Sequence, residues 1–222
     1  MLNFRLLFTL LLYVNIFWIP TVIAQDSIPY LNLHVKNGDL IFVGAQKENL
    51  SGAINRVTQQ QSDISYDHVG ILEVCKDQVY VLHAIGKKGS VREPLDSLVL
   101  TKDGQKQQFA LYRLYGEEQT AIPEAINKAK TLLGEPYNWS YVLNDSSLYC
   151  SDFVERAFRH AKIFELQPMT FIDPNTKKTD SFWADFYQKL NMEVPEGKLG
   201  CNPNGLAANE HLIRIGYLQT VL

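Results

Sequence analysis

Cysteine is scarce in this chain, and so is any excess of one charge. Only Cys75, Cys150 and Cys201 occur in 222 residues. Three cysteines cannot staple a disulfide scaffold, and no close-spaced ligand pair of the usual zinc type is present. The formal net charge is −3. That excludes the basic surface of a nucleic-acid binder and the polybasic patch that anionic lipid attracts. Repeats, low-complexity tracts and heptad runs are missing too, so solenoids and coiled coils drop out. What remains is ordinary globular sequence, 46% hydrophobic and 20% charged, long enough for one full-sized core.

The first residues read as a leader. Arg5 precedes an apolar run from Leu6 to Val14, continued by Phe17, Trp18 and Ile19. Pro20 breaks the run, and Val22-Ile23-Ala24 offers small-residue cleavage positions before Gln25. The run is nearly long enough for an uncleaved anchor, but Asn15, Pro20 and Ala24 favour cleavage. The expectation is a signal peptide over residues 1–24 and a single domain over 25–222. That makes the protein exported, periplasmic or secreted, with no stable membrane anchor. No cysteine follows the cleavage site, so lipoprotein anchoring is not expected. In an oxidising compartment an odd cysteine count leaves at least one thiol free or bonded to another molecule. Pairing Cys75 with Cys201 would free Cys150, and three unpaired cysteines are equally open.

The mature chain alternates strand and helix signals. Asn37-Gly38-Asp39 is a turn before a buried strand, Leu40 to Val43. Residues 51–60 form a weak polar helix or loop. Two strands, residues 66–75 and 78–85, flank the turn Lys76-Asp77 and make a hairpin. With a two-residue loop, Cys75 faces Gln78 and Gly70 faces His83. His68, Gly70, His83 and Ile85 then share one face, and the two histidines are diagonal neighbours about 7–8 Å apart at the backbone. Asp67 and Glu73 point to the other face. Further strands are expected over residues 90–95, 108–115 and 212–217. Helices are expected over 122–133, from Cys150 onward, and over 181–190, and a turn-rich loop over 197–205. The fold class is α+β, an antiparallel sheet packed against helices.

The chemistry centres on Cys150. Phe153, Val154, Ala157 and Phe158 recur at helical spacing, so Cys150 stands on the first turn of an amphipathic helix. Ser146 or Ser147 can cap that helix. A thiol at the positive end of the helix dipole is favoured as thiolate, the nucleophilic form. A base must take its proton, and histidine has the right intrinsic pKa. His68 and His83 can supply the base and a residue that orients it. The backbone amide of Cys150, with the phenol of Tyr137 or Tyr149, can meet the oxyanion. The bland alternative for Cys150 is a small buried hydrophobe. His34, His160 and His211 lack motif context, Asp39 reads as a turn residue, and Asp152 as a carboxylate complementing the dipole.

Four short stretches then resemble one family. They are Gly38-Asp39-Leu40-Ile41-Phe42, Asp67-His68-Val69-Gly70-Ile71, Leu133-Gly134-Glu135-Pro136-Tyr137 and Leu148-Tyr149-Cys150-Ser151-Asp152-Phe153-Val154. In this order they resemble the YaeF/YiiX family of circularly permuted papain-like cysteine hydrolases. Those enzymes are related to NlpC-type cell-wall peptidases and to lecithin:retinol acyltransferase-like enzymes. Asn202-Pro203-Asn204-Gly205-Leu206-Ala207 is similar to the family's C-terminal segment. The resemblance implies a permuted papain-like fold, with Cys150 as nucleophile, His68 as base and His83 as third residue. It implies no cofactor and no metal, and a peptide-type or lipid-type substrate. Close bacterial relatives more often carry an acid at the third position, whereas the acyltransferase-like branch uses histidine. Amide cleavage and acyl transfer therefore both stay open. Two other readings compete: a zinc site built from Cys150, His68 and His83, and a non-catalytic binding module.

Overall fold

The computed structural model describes residues 27–59, 64–100 and 107–219. The expected leader, residues 1–24, lies outside them. In chain order the elements are β1 (Ile28–Tyr30), β2 (Leu33–Val35), β3 (Leu40–Gly44), α1 (Asn49–Thr58), β4 (Tyr66–Cys75), β5 (Gln78–Ile85) and β6 (Gly89–Pro94). There follow α2 (Asp96–Val99), β7 (Phe109–Leu114), α3 (Ile122–Thr131), α4 (Cys150–Phe158), β8 (Gln167–Pro168) and α5 (Ser181–Lys189). The chain closes with β9 (Leu199–Gly200), α6 (Pro203–Ala207) and β10 (Leu212–Tyr217).

Six strands make one antiparallel sheet in the order β10-β7-β3-β4-β5-β6. Its residues alternate between two buried layers, as strand geometry requires. Leu40, Phe42, Val69, Ile71, Leu82 and Ala84 pack with α3 and α4. Ile41, Val43, Leu72, Val79 and Val81 pack on the opposite face with Ile28, Val35 and the α2 residues Leu98 and Val99. A third cluster joins Ala53 of α1 to Phe171, Trp183 and Tyr187. The fold is therefore mixed helix and antiparallel sheet, as the sequence indicates.

The hairpin forms in the expected register. Cys75 pairs with Gln78, and pairing continues to Ile71 and Leu82. Beyond that point the two strands part. On its other edge β4 remains paired with β3, through a bulge between His68 and Tyr66. This opening between β4 and β5 is where the start of α4 enters.

Helix α4 buries Phe153, Val154, Ala157 and Phe158 completely. Burying each Phe or Val contributes roughly 1.5–3 kcal/mol. Neither Ser146 nor Ser147 caps it. Both hydroxyls go to Asn144 Oδ1 at 3.1 Å, and the N-cap residue is Tyr149, without a side-chain cap bond. Asn144 captures the serines because it lies two and three residues before them, the spacing of a local side-chain turn. The first amides of α4 are left to face Cys150 itself. Asp152 is fully buried and bonds Arg156 Nε at 2.7 Å one turn on, so it is locked by a partner as well as by the dipole. Asp39 does more than turn the chain. It is fully buried and takes two 2.7 Å bonds from Arg113 of β7. All three cysteines are free. Cys75 is exposed at the hairpin turn and Cys201 is buried, so the Cys75–Cys201 pairing is not formed.

Candidate active site

Cys150 is the first residue of α4 and is 5% exposed. The Val69 amide, on the β4 edge left unpaired where β5 departs, donates to its sulfur. The amides of Ser151 and Cys150 add to this. The sulfur thus replaces the missing strand partner of Val69, which is the local reason the helix start fits here.

His68 and His83 flank the same opening. His68 Nε2 lies 2.8 Å from His83 Nδ1, with ring planes inclined at 68°. The diagonal contact expected from the register is made. It uses one nitrogen of each ring and leaves His68 Nδ1 and His83 Nε2. His83 Nε2 lies 3.2 Å from Glu93 Oε1, and Glu93 Oε2 lies 2.5 Å from Lys88 Nζ. Sequence reasoning placed residues 90–95 in a strand without singling out Glu93. Its signal is the β5–β6 register, in which His83 pairs with Val91 and Val81 with Glu93. That register puts Glu93 diagonal to His83 on one face. Among the described residues no hydrogen bond joins the Cys150 sulfur to either histidine.

Burial sets the resting charge. It pushes the Cys150 thiol up to about 12, aided by the charge of Asp67 and opposed by the three amides. Burial also drives His68 down to about 3, with repulsion from His83 adding to this and Glu93 opposing it. His83 is fully buried and lowered to about 4, by burial and then by Lys88. The thiolate favoured by the helix dipole is not the resting form, because desolvation outweighs the dipole here. The resting site holds a neutral thiol and neutral imidazoles.

The two tyrosines chosen from sequence separate. Tyr149 is buried, and its hydroxyl accepts the Cys201 amide at 3.2 Å. Both contacts of that hydroxyl are to Cys201, the second from its sulfur at 3.9 Å. Tyr137 is held beside the site because Asn138 N donates to Leu148 O and Leu148 N to Pro136 O, both at 2.9 Å. Burial raises the Tyr137 phenol, and the nearby Cys150 charge raises it further. Both tyrosines line a cavity of about 280 Å³ that reaches Cys150. Tyr141, Met169, Phe171 and Trp183 form much of its wall, and among the described residues Asp67 is its one carboxylate. Tyr141 and Trp183 were not singled out in the sequence, since only the fold of the 163–200 segment over α1 brings Trp183 here.

The zinc alternative meets the donor geometry. Two nitrogens on one tetrahedral zinc stand about 3.3 Å apart, given Zn–N bonds near 2.0–2.1 Å. The facing His68 and His83 nitrogens are 2.8 Å apart and bonded to each other. Among the described residues no group of three His, Cys, Asp or Glu side chains is placed to hold a metal ion. The arrangement does not fit one.

A helix-start cysteine, a strand histidine earlier in the chain and a second histidine bonded to it on an antiparallel sheet define a papain-like layout in permuted order. Residues 34–216 match the family described as permuted papain-like amidase enzyme, YaeF/YiiX, C92 family, and the chain belongs to that family. It is 26% identical over 177 residues to a protein named "Uncharacterized protein YiiX" from Escherichia coli (strain K12), covering 77% of this chain and 81% of the relative. It also resembles the crystal structure of a protein titled metalloprotein yiiX, from Escherichia coli O157:H7, with a TM-score of 0.64 and 23% identity, covering 81% of this chain and 96% of that one. That likeness bears on the fold.

Proposed function

We propose that this member of a permuted papain-like amidase family is an exported thiol hydrolase that cleaves an amide or ester through Cys150, His68 and His83. The observation that carries the reading is the placement of the Cys150 sulfur at the parting of β4 and β5, against the Val69 amide and between strands bearing two bonded histidines. On substrate binding, the Cys150 proton passes to His68 Nδ1 as sulfur attacks the carbonyl carbon. The amides at the start of α4, with Tyr137, meet the oxyanion. His68 returns its proton to the leaving amine or alcohol, and water then hydrolyses the thioester. His83 holds the far side of the His68 ring throughout.

Two substrate classes fit, cell-wall peptides and lipid-linked acyl groups. The aromatic wall of the cavity supports an apolar group next to the scissile carbonyl. The leader with Arg5 and the run from Leu6 supports export. Among the described residues no helix is long and apolar enough to cross a membrane.

The test is iodoacetamide labelling of the mature protein with peptide mass spectrometry, beside His68→Ala and His68→Gln. Cys150 should label in the wild type and much more slowly in both variants, while exposed Cys75 labels equally in all three. Equal Cys150 rates would refute His68 as its base. Muropeptides and acyl esters, each with Cys150→Ala as control, then separate the two substrate classes.

A further inference from the structure

We propose that Glu93 is a positioning residue of this site: through His83 it fixes which nitrogen of His68 carries the proton. An ionised carboxylate offers only acceptors. Glu93 Oε1, 3.2 Å from His83 Nε2, therefore requires the His83 proton on Nε2. A neutral imidazole with its proton on Nε2 has a bare Nδ1. His83 Nδ1 lies 2.8 Å from His68 Nε2, so His68 must donate from Nε2. His68 Nδ1 is then left with a lone pair, and that is the atom that has to receive the Cys150 proton. One carboxylate on β6 thus decides the tautomer of a ring on β4, two strands away.

Four further observations fit this role. Glu93 is itself held: Lys88 Nζ takes its other oxygen at 2.5 Å, so Oε1 is turned to His83. The β5–β6 ladder runs unbroken from Ile85 and Gly89 to Tyr80 and Pro94, which fixes Glu93 against His83 even where β4 and β5 have parted. The charge of Glu93 also holds His68 up against burial, favouring the imidazolium that catalysis needs to form, whereas Lys88 presses His83 down. His83 is fully buried, so no solvent is available to choose its tautomer instead.

The link to catalysis rests on the proposed hydrolase reading; the tautomers do not. The test is ¹⁵N NMR of the histidine rings at pH 7 in the full mature chain, with Cys150 alkylation measured in the same samples. In the wild type, His68 and His83 should both be protonated on Nε2 and bare on Nδ1. Glu93→Gln keeps the side-chain volume but can donate as well as accept, so a second His83 tautomer protonated on Nδ1 should appear. Glu93→Ala should lose the lock entirely. Alkylation of Cys150 should fall about tenfold to a hundredfold in both, less than the loss from disturbing a residue that contacts the base directly. A role in packing alone would leave Glu93→Gln like the wild type. Wild-type His83 protonated on Nδ1, or unchanged tautomers in both variants, would overturn the proposal. If the tautomers behave as stated but His68→Ala leaves Cys150 alkylation untouched, Glu93 keeps its hold on the rings and the hydrolase reading is what fails.

Discussion

Gly70→Ala gives a sharp test of how tightly the hairpin is built around the two histidines. A methyl at Gly70 would stand 2.5 Å from Val81 Cγ2, 3.1 Å from His83 Cβ and 3.3 Å from the Leu82 carbonyl oxygen. Ordinary carbon–carbon contact is about 3.5–4.0 Å, so the Val81 methyl must retreat by at least about 1 Å. It has nowhere convenient to go. Val81 is fully buried and β-branched, with a restricted χ1, and Leu82 presents backbone rather than a flexible tip. Overpacking of this kind costs about 1–3 kcal/mol, and the short contact places this site near the middle, about 2 kcal/mol. For a chain of this size that lowers Tm by about 4–8 °C. Thermal and urea unfolding of the mature protein measure it. Val81→Ala removes the obstructing methyl at its own cost of about 2 kcal/mol, counted from two buried methyl groups. In the double variant the two costs should fail to add by about 1 kcal/mol or more, because the second change relieves the first. The His83 Cβ must also shift by a few tenths of an ångström, so Cys150 alkylation should slow in Gly70→Ala. Stability of Gly70→Ala within about 0.5 kcal/mol of wild type, or strict additivity in the cycle, would refute the reasoning.

Arg113→Met leaves the Asp39 carboxylate buried without its two 2.7 Å bonds, and should lower the urea-derived stability by about 3–5 kcal/mol. Trp183→Ala removes a ring that is 3% exposed and should cost about 3–5 kcal/mol by the same measurement, while enlarging the cavity beside Cys150. The histidine pair predicts acid sensitivity. Folded values near 3 and 4 lie below the unfolded value of about 6.5, so unfolding takes up protons between them. Their contribution is complete above about pH 6.5 and is lost as pH falls toward 4, with a limiting slope near 2.7 kcal/mol per pH unit for two groups. Asp152, raised to about 6 mainly by burial, opposes this over part of the range because the folded form holds its proton longer. The difference between wild type and His68→Gln/His83→Gln isolates the histidine part. A pH-independent difference from pH 4 to 6.5 would exclude it.

The parts of the fold that were legible in sequence are those whose signal is local and repeated. The hairpin register followed from a two-residue turn and alternating apolar residues, and Ile71 to Cys75 pair as counted. The apolar face of α4 named its own buried side chains. Elements of three to five residues, such as β1, β2, α2 and α6, are too short to display a period. Residues 203–205, expected within the loop 197–205, begin the helix Pro203–Ala207, because Asn202 caps it through Gly205 N and Pro203 stands at its first turn. Of the candidate site, Cys150 and His68 stand in motifs, and the hairpin register placed His83 within reach of His68, where the contact is made. Glu93 was not legible, because its relevance depends on the register across a three-residue 3-10 turn, residues 86–88, that carries no tight-turn signature. Trp183 enters the cavity from a segment more than thirty residues further along the chain than Cys150, a distance no pattern in the strand or helix periods spans.

The parting of β4 and β5 explains why Cys150 and the two histidines can be enclosed together without being fixed as ions. A continuous ladder would have satisfied the Val69 amide with a β5 carbonyl and closed the space that Cys150 occupies. Because the ladder stops at Ile71 and Leu82, the amide turns to sulfur, and the His68–His83 contact bridges the two strands in place of backbone pairing. The same enclosure that brings the groups together makes separated charge costly, so the resting site is neutral. Under the proposed mechanism, charge develops when a carbonyl arrives, next to groups already aimed at it: the α4 amides for oxygen, and Glu93 behind His83 for the imidazolium. Preorganised dipoles of this kind act most strongly where water is excluded. Burial of Cys150 is therefore compatible with reactivity only if the histidine chain behind it is intact, which is why disturbance at Gly70 or Glu93 should register at the thiol.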